Sequence, residues 1–292
     1  MQNFTLKDLE NLTGVKAHTL RIWEKRYGNI MPPTEQGKHR VYDNNDLKHI
    51  LRITALYQTG LKISSIANMS AEEITERACA VGEKGNFEAF ITRLIEFSVE
   101  MNEVMFKKLL SELRETLGSK NLYIHIVFPL LQRIGMLWMG GKIIPIQEHF
   151  CSNIIRNDLL LMIDAIPRKK QDDSKRILLF TPKSEFHEIP LLFCHFQLKM
   201  AKINVVYAGV NKSIGEIRDI LEIHPCSHIL TYMITSFLET DQTHFLETMS
   251  STFPQHKIWA GGPSFQGVNV NKENITHLKS IEDLEESIVG FN

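Results

Sequence analysis

The chain has 292 residues, of which 43% are hydrophobic and 23% charged, and its formal net charge is −1. That length and balance suit an ordinary soluble globular chain of two or three modest domains. The charge excludes any overall electrostatic bias toward nucleic acid. The local distribution differs: residues 16–52 hold eight Lys/Arg against four Asp/Glu, a net +4, whereas residues 271–292 come to −3. A basic patch at one end of a neutral chain suits an anionic partner bound there.

Thr5 is a good N-cap, followed by Leu6, Leu9 and Leu12 at helical spacing. Thr13-Gly14-Val15 makes a tight connection to a second helix over 17–27, which Gly28 ends. Two short helices across a glycine-containing turn read as a helix-turn-helix. Leu20 and Trp23 lie three apart and face the core, which turns Thr19, Arg21, Lys25 and Arg26 toward phosphates and base edges. Residues 34–42 read as a small hairpin or wing carrying Lys38, His39 and Arg40. Residues 43–57 return to helix, with Leu47, Ile50, Leu51 and Thr54 on one stripe.

These residues carry a resemblance. Thr19-Leu20-Arg21-Ile22-Trp23-Glu24-Lys25-Arg26-Tyr27-Gly28, then His39-Arg40-Val41-Tyr42 and Asp46-Leu47, resemble the winged helix-turn-helix of MerR-type transcription regulators over residues 3–70. The resemblance implies that the helix through Arg21 and Arg26 enters the major groove of promoter DNA. It implies that Tyr27 and Arg40 hold the backbone, with Thr19, His39 and Tyr42 completing the DNA-binding set. It also implies binding to pseudo-palindromic double-stranded sites as a dimer or higher self-assembly, in keeping with the few phosphate contacts one reader offers. Metal-sensing members carry cysteines near a long dimer helix; here Cys79 stands alone. The four cysteines (79, 151, 194, 226) form no C-x-x-C and read as intracellular structural thiols.

Gly82, Gly85 and Asn86 mark a break. Helical patterns over 87–97, 104–117, 122–139 and 146–166 suggest a four-helix bundle. Met101, Met105, Met136, Met139 and Met162 read as core filler. Trp138 near one helix end and Glu148-His149 at the start of the next place an aromatic and a Glu-His pair at one end of the bundle; taken alone, the pair reads as buried and hydrogen-bonded. No apolar run reaches the about 18 residues a spanning helix needs. The N-terminus lacks the basic and apolar regions of a signal peptide. The expected compartment is the cytoplasm, without membrane contact.

Apolar strand candidates follow at 177–181, 204–208, 229–233, 258–260 and 275–278. They alternate with helices at 189–200, 215–222 and 238–250, a short one at 265–268, and a last at 281–289. Such βα alternation implies a parallel, doubly wound α/β sheet. Ligands in such sheets gather at the carboxyl edge. There the loops after strands one, three and four bring Glu185 and His187, the Thr231-Tyr232-Met233 end, and Gly261-Gly262. No G-x-G-x-x-G is present.

The spacing Glu185-x-His187-x-x-Pro190, Thr231-x-Met233, Gly261-Gly262 resembles the cobalamin-binding Rossmann-like module, whose pattern is Asp/Glu-x-His-x-x-Gly, Ser-x-Leu, Gly-Gly. The resemblance implies His187 as the lower axial ligand of cobalt and a carboxylate, Glu185 or another, on its second ring nitrogen. It implies that Thr231, Met233, Gly261 and Gly262 make room for the nucleotide tail, and that Trp138, Glu148 and His149 form a cap. Reader, bundle and module in this order resemble the light-responsive cobalamin repressors. That implies a non-enzymatic regulator sensing adenosylcobalamin or methylcobalamin, built as 1–77, 78–170 and 171–292. The pattern departs at Pro190, where glycine is expected, and at Met139, where some relatives carry a histidine after the tryptophan. The alternative is a degenerate module kept for oligomerisation or for another ligand.

Overall fold

Capping chemistry sets the frame of the N-terminal half. The Thr5 side chain accepts from Asp8 N, and the Asp8 carboxylate accepts in turn from Thr5 N, opening α1 (Leu6–Thr13). Asp43 and Asp46 repeat the arrangement at α3 (Asn44–Gln58). Between them lie α2 (Ala17–Arg26) and a hairpin of β1 (Thr34–Gln36) and β2 (His39–Val41). Short helices α4 (Ile63–Ile66) and α5 (Ala71–Cys79) follow. Leu9, Leu12, Leu20, Trp23, Leu47 and Leu51 form the core of this winged reader.

The computed structural model describes residues 4–28, 34–36, 39–79, 87–141, 143–167, 176–235 and 241–291. The chain divides into two compact units, Met1–Ile154 and Ile155–Asn292.

The first unit also holds α6 (Phe87–Glu100), α7 (Glu103–Leu122), α8 (Phe128–Met139) and the start of α9 (Pro145–Ala165). Sequence patterning placed a helix start at 122. The chain is already helical there and widens to one π-turn over Tyr123–Val127; the break falls where the preceding pattern stops, at Gly118 (φ 75°, ψ 155°). Residues Glu103–Met139 are long and apolar enough to cross a membrane by length and composition. Phe106, Leu110, Leu122, Ile126, Leu130 and Ile134 are nevertheless buried in the bundle, and the Gly118 break interrupts the run.

Reader and bundle are stitched into one unit. Arg52 of α3 donates to Glu96 of α6 (2.7 Å) and to Thr75 of α5 (3.1 Å). Gln58 Nε2 donates to the carbonyl of Thr13, and Thr92 of α6 donates to Gln58 Oε1. At the turn between α1 and α2, the Glu88–Arg133 ion pair (2.6 Å) lies so close that a Cβ on Gly14 would meet Glu88 Oε2 at 2.9 Å.

In the second unit five strands run parallel in the order β4-β3-β5-β6-β7: β3 (Arg176–Pro182), β4 (Asn204–Lys212), β5 (His228–Tyr232), β6 (Lys257–Gly261) and β7 (Ile275–Leu278). Residues on successive strands point alternately to two faces. One face packs Leu178, Ile229, Met233 and Ile258 against α11 (Ile214–Ile223) and α12 (Gln242–Thr252). The other packs Ile177, Leu179, Leu230 and Trp259 against α10 (Glu188–Met200) and α13 (Ile281–Phe291). The second strand, expected at 204–208, runs on to Lys212, so Gly209 lies inside β4, opposite Phe180 at a register shift. The short helix expected at 265–268 is a single 3-10 turn over Pro263–Phe265. Residues 238–240 of the expected third helix of this unit lie outside the described residues; α12 begins at Gln242. The described cysteines Cys151, Cys194 and Cys226 are free thiols, buried, with burial pushing their pKa up to about 12, about 12 and about 11.

Candidate cofactor and DNA-binding sites

Glu185 is the hub of the carboxyl edge. Its carboxylate is 2% exposed and accepts five hydrogen bonds. Oε1 takes the backbone N–H of His187 (2.9 Å) and faces His187 Nδ1 at 2.6 Å. Oε2 takes the backbone N–H groups of Ile234 and Thr235 (2.8 Å each) and the Thr235 hydroxyl (3.1 Å). Burial pushes the carboxyl pKa up, but the bonds from the His187 ring, Thr235 N and His187 N, with the histidine's charge, outweigh it and hold the pKa at about 2.

The backbone of the same loop is fixed as firmly. Glu185 O accepts from the Thr181 hydroxyl and from Asn211 N. Ser184 and Asn211 both adopt positive φ (70° and 59°), and Asn211 Oδ1 accepts from Ser184 N. Two non-glycine residues in this region cost energy that the surrounding hydrogen bonds offset. Hydrogen bonds therefore tie the loop after β3 to the carboxyl end of β4 and to the loop after β5.

His187 is the N-cap residue of α10, and its side chain makes no cap bond. The ring is instead held by Glu185 and remains 54% exposed. The Glu185 carboxylate accepts a hydrogen bond from Nδ1–H, so the proton stays on Nδ1 and Nε2 carries the lone pair that can be donated to a metal. Of the two neighbouring carboxylates, Glu185 is the one that orients the ring. Glu188 turns away, accepting from Arg156 of α9 and from the Tyr207 hydroxyl (3.1 Å). Pro190 sits in the first turn of α10, where helix N–H groups lack intrahelical partners and no positive φ is needed. Its replacement of glycine therefore leaves this helix intact.

The predicted Thr231, Met233, Gly261 and Gly262 also gather at this edge. Met233 N donates to Gly261 O (2.9 Å), and Met233 is fully buried on the α11/α12 face. Thr231 is fully buried and its hydroxyl has no hydrogen-bond partner among the described residues. Gly262 (φ 111°) is required by close approach: a Cβ there would stand 2.1 Å from Met233 O. A Cβ on Gly261 would meet the Tyr232 ring at 2.9 Å. In this structure the two glycines accommodate Tyr232 and the Met233 peptide, a contact the spacing alone did not reveal.

At the end of the bundle, Trp138 is 51% and Met139 75% exposed, with Ile144 and Ile146 exposed beside them in sequence. Glu148 and His149 occupy the first turns of α9 and pair at 2.7 Å (Nδ1 to Oε2). The pair is hydrogen-bonded, but the His149 side chain is 67% exposed rather than buried. Exposed apolar surface of this kind marks an interaction site more often than isolated residues do.

In the reader, α2 buries Leu20 and Trp23, and Trp23 meets Tyr57 edge-on at 4.7 Å. Arg21 and Arg26 are exposed; Thr19 and Tyr27 are half-buried. Tyr42 corrects the sequence reading: it is 0% exposed and its backbone pairs with Phe4 in both directions, so it belongs to the core. His39 and Arg40 lie on β2, but their side chains, like Lys38, fall outside the described residues.

A helix-turn-helix reader with a basic outward helix, and a parallel sheet carrying one oriented histidine at its carboxyl edge, together define a DNA-binding regulator with a ligand module. Residues 4–73 match the family described as MerR HTH family regulatory protein, and residues 90–159, the bundle, match the B12 binding domain family. The chain is 22% identical to the HTH-type transcriptional repressor CarH of Myxococcus xanthus over 86% of both chains. It is 27% identical to the repressor CarA of the same organism over 70% of this chain and 68% of that one. Its fold matches the monomethylamine corrinoid protein of Methanosarcina barkeri at TM-score 0.53 and 11% identity, over 68% of this chain and 96% of that one. The chain thus joins a segment matching the MerR helix-turn-helix to one matching a B12 binding domain.

Proposed function

We propose that this regulator senses cobalamin in the cytoplasm, with His187 Nε2 as the protein atom that would ligate cobalt and no enzymatic step. The observation that carries the reading is the Glu185–His187 pair at 2.6 Å: a single exposed imidazole, held in one tautomer by a buried carboxylate. One imidazole completes the coordination of a metal that brings its other ligands, and its orienting carboxylate strengthens the bond. The orphaned Thr231 hydroxyl is a ready hydrogen-bond donor at the same edge. Thr231, Met233, Gly261 and Gly262 on this edge, and Trp138, Glu148 and His149 on the bundle, are the further cofactor contacts in this reading. When bound, the group would supply a cobalt centre carrying an adenosyl or methyl group. CarH and CarA are repressors, which supports the reading that this chain controls promoter occupancy; in this reading the state of the bound cobalamin is the input, and adenosylcobalamin would add light to it. For that, the ligand must bind two assembly states, dimer or tetramer among them, with different affinity. Tyr232 against Gly261 favours the second reading, a module kept for assembly alone; a visible spectrum separates the two.

On DNA, Arg21 and Thr19 face base edges and phosphates while Arg26, Tyr27, His39 and Arg40 hold the backbone. Arg26→Ala is expected to weaken binding to all duplexes alike and to lower the slope of log K against log salt by about 1. Fluorescence anisotropy on a promoter duplex at several salt concentrations checks this; an unchanged slope would remove Arg26 from the backbone contacts.

A further inference from the structure

The recognition helix presents one side chain that phosphate binding does not explain. Residues of an α-helix advance by about 100° each. Leu20 (0% exposed) and Trp23 (3%) fix the inward direction of α2. The opposite direction falls between His18 and Lys25, with Arg21 about 50° to one side and Ile22 about 50° to the other. All four are exposed, and Ile22 is 48% so. Arg26 and Thr19 lie on the flanks, roughly a right angle from that centre.

Ile22 is thus the one apolar group on a face otherwise made of His18, Arg21 and Lys25. Its burial is not needed by the reader's core, which Leu20 and Trp23 already fill from this helix. Nor does it have a donor or acceptor for a phosphate. The major groove offers one apolar group, the C5-methyl of thymine, and it is read by apolar contact. Arginine and lysine beside it suit the O6 and N7 acceptors of guanine. We propose that Ile22 is a specificity-determining residue that reads a thymine methyl in each half-site, while its basic neighbours supply sequence-independent affinity and guanine contacts.

Replacing thymine by uracil removes only that methyl, which gives a direct test. The operator is first selected from randomised duplexes with the full-length protein, and each selected thymine is then changed to uracil. The wild type should lose about fourfold in affinity at one thymine per half-site, the factor expected for burying one methyl-sized group. Ile22→Ala should lose a similar factor on the thymine duplex, become indifferent to uracil at that position, and keep the salt slope of the wild type. Because Ile22 is half exposed, the variant should retain the wild-type circular dichroism and melting. The uracil scan on the wild type stands even without it. Indifference of the wild type to uracil at every thymine would overturn the proposal, as would an Ile22→Ala variant with the full uracil penalty.

Discussion

Glu185→Gln should destabilise the chain by about 3 kcal/mol at neutral pH. The carboxylate accepts five hydrogen bonds on two oxygens and donates none. A glutamine must point its NH2 group either at His187 or at the N–H groups of Ile234 and Thr235. Donors then face donors in a site where the side chain is 2% exposed, and each buried donor left unmade costs about 1–3 kcal/mol. The same hub sets an acid limit. Its folded pKa, about 2, lies below the ordinary value of 4.5. A depressed carboxyl stabilises the fold fully above the unfolded value, and that stability is lost as pH falls from about 4.5 toward about 2. The shift corresponds to about 3 kcal/mol. Urea unfolding of wild type and variant at pH 7, and again between pH 5 and 2.5, measures both. A variant within about 0.5 kcal/mol of wild type at pH 7, or one with the same acid slope, would contradict the role assigned to Glu185.

His187→Ala should weaken corrinoid binding by about 100-fold or more and change the visible spectrum of whatever corrinoid remains, because the substitution removes the ligand and not merely its orientation. Losing an orienting partner alone costs about 10–100-fold in metal affinity, which is the expectation for Glu185→Gln in the same titration. His187 is 54% exposed and contributes one bond to the hub, so its loss should cost stability far less than Glu185→Gln does. The two variants therefore separate: one strikes binding with the fold largely kept, the other strikes both. Absorption titration with methylcobalamin in the dark, beside a melting curve, reads the two effects. A His187→Ala spectrum identical to wild type would remove the histidine from the metal.

Much of this architecture was legible from periodicity. Leu20 with Trp23 oriented the recognition helix, and the five apolar runs placed the five parallel strands within a residue or two, except at the carboxyl end of β4. What escaped was set by tertiary contact. The π-turn at Tyr123–Val127 has no sequence mark because the residues stay helical in pattern. The break at Gly118 itself was legible, since the helical pattern stops at 117, but helix resumes directly after it and not at 122. The resemblance placed Tyr42 among the DNA contacts; its pairing with Phe4, 38 positions away, puts it in the core. Glu185 could be read as a partner of His187 two residues on, but not as the acceptor for Ile234 and Thr235, which only the folded sheet brings near. Gly261-Gly262 signalled close approach correctly, while the groups that approach, the Tyr232 ring and the Met233 carbonyl, are visible only in three dimensions.

The account turns on whether this chain holds a corrinoid. The purified full-length protein should be mixed in the dark with adenosylcobalamin, and in parallel with methylcobalamin, desalted, and examined by visible absorption. The expected result is corrin absorbance that stays with the protein near one equivalent per chain, with bands of histidine-ligated cobalt that His187→Ala abolishes. Protein that emerges from the column with no corrin absorbance would contradict the sensor reading and leave the α/β module as a scaffold for assembly.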